Sequence, residues 1–133
     1  MADAVTSQTI QDGERRAVLK FTNISDGTGE SNVVKIDVSA LAANSRGEAC
    51  TEVAIHQIWW QCVGMGVEIL FDATANVPAI ILSENSNGHH DYSSFTAIPN
   101  NAGAGKTGDV LFTTLGATAG DAYTVILDVI KSY

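Results

Sequence analysis

The sequence predicts an all-β protein: one domain spanning residues 1–133, built as a two-sheet, jelly-roll-like sandwich of about eight antiparallel strands. Three observations lead there. Alternation of apolar and polar residues at a two-residue period recurs along the chain. No segment shows a helical period with a capped start and stop. Clusters of Gly, Asn, Asp and Ser separate the alternating runs at short, even spacing. With 45% hydrophobic and 17% charged residues in 133, the chain is too apolar for a disordered protein and long enough for one core.

Residues 1–12 are expected as an N-terminal arm outside the sandwich. The first strand is ERRAVLKFTNI (14–24), where Ala17, Leu19 and Phe21 face one way and Arg16, Lys20 and Thr22 the other. VVKIDVS (33–39) sets Val34, Ile36 and Val38 against Lys35, Asp37 and Ser39. TEVAIHQIWWQCV (51–63) has Val53, Ile55 and Trp59 on one parity and Ala54, Ile58 and Trp60 on the other, so both faces of that strand need cover. GMG (64–66) is expected to turn a hairpin into VEILFDA (67–73). VPAIILS (77–83) follows, with Pro78 at its start or on an edge because proline has no N–H to donate. SENSNGHH (83–90) has the composition of a polar turn. DYSSFTAI (91–98), DVLFTTLG (109–116) and AYTVILDVI (122–130) complete the set, the last two joined by ATAGD at hairpin length.

Residues 101–109, NAGAGKTGD, contain a Gly-Lys-Thr that invites comparison with a P-loop. That motif needs G-x-x-x-x-G-K-[ST] after a strand and before a helix, whereas Asn100 stands at the first glycine position and a strand pattern follows. The segment is expected to be a structural, glycine-rich connection. His89, His90 and Asp91 form the densest group of potential metal ligands, but adjacent strand residues point to opposite faces, so solvated turn histidines are the expectation and no metal is predicted. His56 sits mid-strand as a packing residue, and no G-x-S-x-G elbow precedes a helix. Cys50 and Cys62 are too few for a disulfide framework and are expected as buried thiols.

A net charge of −8, with only seven Lys and Arg, argues against nucleic-acid binding. No apolar run approaches the ~18 residues of a membrane span, and the opening residues lack a basic and then apolar leader, so folding in a cytoplasm is expected. The tandem Trp59 and Trp60 put one indole in the core and one outward, where it would serve as a subunit anchor or a platform for a sugar.

KIDVSAL, IWWQCVGMGVEILFDATANVP, LSENSNG and NNAGAGKTGDVLFTTLGATAGDAYTVILDVIK, spread over roughly residues 24–131, resemble a group of small β-rich structural proteins of tailed bacteriophages. The resemblance implies a non-enzymatic virion protein, specifically a capsid decoration or cement protein on the capsid surface, made in the host cytoplasm. It implies a symmetric homo-oligomer, with a trimer favoured, whose partner is the major capsid protein. Neither cofactor, membrane, nucleic acid nor small-molecule substrate is implied. Trp59, Trp60 and Ile58 are the expected subunit-interface residues, and Gly103, Gly105, Gly108 and Asp109 the expected structural loop. A carbohydrate- or receptor-binding module of a tail fibre or adhesin is the alternative.

Overall fold

The computed structural model describes residues 3–95 and 97–133. Within them nine strands form: β1 (Ala4–Asp12), β2 (Arg16–Ile24), β3 (Val33–Ile36), β4 (Glu52–Val63), β5 (Gly66–Phe71), β6 (Val77–Leu82), β7 (Asn87–Asp91), β8 (Val110–Leu115) and β9 (Ala122–Ser132). One antiparallel sheet has the order β1-β2-β9-β4-β7 and the other β3-β8-β5-β6. That order has a simple origin. β5 pairs with β6, β4 with β7, β3 with β8 and β2 with β9, so from β2 onward the chain is one long antiparallel ribbon that turns back at residues 72–76. Its successive pairs fall alternately in the two sheets, which is the wrapping of a jelly roll. β1 lies outside the ribbon and adds to the five-stranded sheet against β2.

Inward-facing residues of both sheets form one core. Ala17, Phe21, Val125, Leu127 and Val129 face Val67, Ile69, Phe71, Val110 and Phe112, each essentially without exposure. Phe112 sits at its centre, edge-on to Phe21 at 5.3 Å and to Tyr123 at 5.7 Å between ring centroids. Burying each such aliphatic side chain contributes about 1.5–3 kcal/mol. A polar staple closes one end: the Glu30 carboxylate accepts from Lys35 Nζ at 2.5 Å, Asn23 Nδ2 at 3.0 Å and the Tyr123 hydroxyl at 2.5 Å. Burial, with Glu30 alongside, pushes the Tyr123 phenol well above its usual range. At the opposite end the buried Lys131 ammonium is held by the Asp12 carboxylate and by the carbonyls of Gly13 and Ala42.

The apolar residues on both parities of β4 have a single cause. Ile55 pairs with Val129 and Gln57 with Asp128, leaving His56 as the extra residue of a β-bulge. The bulge shifts the parity of the strand, so Val53 and Ile55 before it and Ile58 and Cys62 after it all face the same interior and are all buried. The expectation that one set would be left on the surface is therefore corrected, and with it the place of Ile58, which is fully buried and presents nothing to a neighbouring subunit.

Five local expectations also change. GMG is no hairpin turn: β4 and β5 belong to different sheets, and the step between them drops Met65 into the core. The link between β8 and β9 likewise crosses from sheet to sheet. DYSSFTAI is not a strand, because its partner β4 is bulged at His56; the chain makes a 3-10 turn at Ser93–Phe95 and returns for one bridge, Ile98 to Ile55. Thr96 of that stretch lies outside the described residues. Finally, the polar turn covers only residues 83–86, since Asn87–Asp91 form β7, and the arm expected over residues 1–12 holds β1, its first two residues lying outside those described.

Candidate functional site

The glycine-rich segment ends up at the same end of the roll as the turn between β5 and β6. Gly105 and Gly108 have φ of +79° and +89°, and a Cβ on Gly108 would run into the Thr51 carbonyl oxygen. Gly103 has ordinary φ and open space around it, so it needs no special backbone. Lys106 Nζ donates to the Glu52 carboxylate at 3.0 Å, and the Thr107 hydroxyl donates to Asp72 Oδ2 at 2.7 Å. Asp109 accepts from the Val38 N–H at 3.0 Å. Burial, with Asp37 and Asp72 nearby, raises the Asp109 carboxyl, while the Val38 N–H pulls it the other way. The Lys106 and Thr107 side chains that a phosphate cradle would present are thus tied to β4 and the β5–β6 turn, and Asp109 is tied to the loop after β3.

The second candidate is the Trp-Trp pair. Trp60 follows the core parity set by the bulge and is half-buried against the core, its indole N–H donating to Ser86 Oγ at 3.1 Å. Trp59 points the other way, onto the outer face of the five-stranded sheet, where its row neighbours are Ile126 and His89. β7 brings a histidine to each indole. His89 lies nearly parallel to Trp59, 4.6 Å away at 8°, and His90 stacks on Trp60 at 5.1 Å and continues to Tyr92 at 6.0 Å. The expectation of opposite-facing histidines holds, but they stand on a strand and stack on rings. Among the described residues no group of three His, Cys, Asp or Glu could hold a metal ion.

Around Trp59 the outer face is built from polar links. His89 Nε2 lies 2.9 Å from Gln57 Oε1, Gln57 Nε2 donates to Asp128 Oδ2 at 3.2 Å, and Arg16 Nε donates to Asp128 Oδ1 at 3.2 Å. This row ties β7, β4, β9 and β2 together across the sheet. Beside it a shallow depression of about 320 Å³ is lined by Trp59, Trp60, Gln61, Gly88, Thr124 and Ile126. It offers two tryptophans and the side chains of Gln61 and Thr124, with no carboxylate on its walls. Both thiols are free and buried, and burial pushes Cys62 up to about 11.

Sequence reasoning found the two indoles but missed their stacking partners, because NGHH has turn composition. The bulge left one signal in the sequence, the polar pair His56-Gln57 interrupting an apolar alternation. Comparison with known proteins finds no family model and no curated protein that matches the chain.

Proposed function

We propose that this is a non-enzymatic virion structural protein of a tailed bacteriophage, a decoration or cement protein that binds the major capsid protein lattice as a symmetric oligomer. What carries the reading is the likeness of residues 24–131 to phage structural proteins. The use of its most distinctive segment supports it: NAGAGKTGD is spent on internal ties, Lys106 to Glu52 and Thr107 to Asp72, which makes it a scaffold element. The outward Trp59 is the side chain best suited to anchor a contact, since a half-buried indole loses little entropy on docking. Locating the chain in a particle reconstruction tests the proposal. Density on the head surface, together with particles that lose their genome at lower temperature when the protein is absent, is the expected result. Density confined to the tail, or absence from purified virions, overturns it.

One observation favours the second reading, a carbohydrate-binding module: the depression beside Trp59 also carries Gln61 and Thr124, an aromatic face with polar neighbours. Glycan-array binding abolished by Trp59→Ala would replace the first reading with this one.

A further inference from the structure

Each sheet has two edge strands, and three of the four are blunted. β3 is four residues long and irregular between Val34 and Ile36. β6 carries Pro78 and a register shift opposite Ile69 and Leu70. β7 is five residues of Asn, Gly, His, His and Asp, backed by the stacked indoles. Shortness, bulges, proline and charge are the devices by which sheets discourage edge-to-edge pairing. β1 is different. It runs for nine residues with no proline, and from Ala4 to Gln11 it has no charged side chain, in a chain of net charge −8. Its first eight residues are exposed on both faces, because the opposing sheet is one strand narrower. The irregularity at Ile10 leaves Ala4 to Thr9 regular.

We infer that β1 is a docking strand for a second copy of this chain, the two β1 strands pairing antiparallel about a two-fold axis that passes through Ser7. A two-fold perpendicular to the sheet keeps each face on its own side, so only registers that pair residues of like parity are allowed. With Ser7 opposite the partner's Ser7, Val5 meets the partner's Thr9, Thr6 meets the partner's Gln8, and Ala4 meets the partner's Ile10. Ala4 is also the cross-strand neighbour of Ile24. The register therefore brings Ile10, the residue at the irregularity, close to the partner's Ala4 and Ile24, with Ile10 and Ile24 exposed by 53% and 59%. Charge does not oppose it. The carboxylate of Asp3 is turned back onto the Asp26 N–H and Asn23, and that of Asp12 onto Lys131, so neither end of the strand offers a bare carboxylate to its mate. The pairing joins the two five-stranded sheets into one continuous sheet, and uses the strand's main-chain groups for affinity and its short side chains for register. This inference does not depend on the virion role.

The test is the mass of the purified protein by sedimentation over a wide concentration range, with variants at exposed positions. A dimer is expected. Ser7→Lys, which sets two ammonium groups opposite each other, should weaken it by about tenfold or more with an unchanged circular dichroism spectrum. Under oxidation Ser7→Cys should cross-link to a covalent dimer, whereas Thr9→Cys, opposite Val5 in this register, should not. Three outcomes overturn the inference: a wild type that stays monomeric throughout, a dimer or trimer that Ser7→Lys leaves intact, or cross-linking of Thr9→Cys as readily as Ser7→Cys.

Discussion

The two edges of the five-stranded sheet, β1 and β7, are made stable in opposite ways. β7 is short and its five residues stay exposed, yet on each face a histidine stacks on an indole of β4, His89 on Trp59 and His90 on Trp60. β1 is nearly twice as long and almost nothing covers it; it is held by its ladder to β2, by a Thr6–Thr22 hydroxyl pair and by tethers at its two ends. The difference teaches that strand formation at an edge can come from a short ladder reinforced by side-chain stacking, or from a long ladder with little packing. Only the second kind leaves an edge open.

The comparison is most easily broken at Trp60. Replacing it by Ala removes the ring that backs β7 and leaves a void at the core's margin, and should cost about 3 kcal/mol in a chemical-denaturation experiment. Circular dichroism should report a fold that survives at low denaturant; an unchanged midpoint would mean that β7 does not depend on the stack. Gly88→Ala comes next. A Cβ there would stand 3.1 Å from the Trp60 ring, so overpacking should cost roughly 1–2 kcal/mol and loosen β7 ahead of the rest. Amide exchange resolves which strand opens first.

Trp59→Ala should cost less, about 1 kcal/mol, because that indole is half-exposed and stacks on one histidine only. Its larger effect is expected on association, read as capsid binding by sedimentation. The smallest effect belongs to the tether of β1. Hydrogen bonding from the Asp26 N–H, opposed by slight desolvation and aided by Asn23 and Thr28, holds the Asp3 carboxyl at about 2 against its ordinary 3.8. A lowered carboxylate stabilises the fold fully above 3.8 and loses that contribution as pH falls toward 2. Solvent screening limits it to about 0.5 kcal/mol, so in acid the amide protection factors at the start of β1, taken relative to intrinsic exchange at the same pH, should fall by more than those of β7. Equal acid sensitivity at both edges would refute the assignment.

The roll itself was legible in its core strands: β2 and most of β9 alternate because their inward residues alternate, while β5 and the first half of β8, buried without alternation, read as apolar runs. The edges were harder for a physical reason. AVTSQTIQD lies on no core, so selection for burial left no period in it, and it passed for an arm. NGHHD has turn composition, and its strand comes from rings on the neighbouring strand that are distant in sequence. Loop length was equally silent about which sheet a strand joins, since residues 64–65 and 116–121 are short enough to turn a hairpin yet each crosses between sheets. Of the candidate site, the glycine segment was legible as structural because its motif was incomplete. The outward direction of Trp59 was not, because it depends on the extra residue at His56.

That extra residue acts on the strand as an inserted letter acts on a reading frame. Everything after His56 on β4 is phased one step away from everything before it, and the two halves are correct only together. Removing His56 alone would close the bulge and leave Val53, Ile55, Ile58, Trp60 and Cys62 at strict two-residue spacing, all on the core face. A strand that kept His56 but lost the bulge would instead have to turn out either Val53 and Ile55 or Ile58, Trp60 and Cys62. As long as His56 is there, the bulge is what keeps the two halves of β4 facing one core.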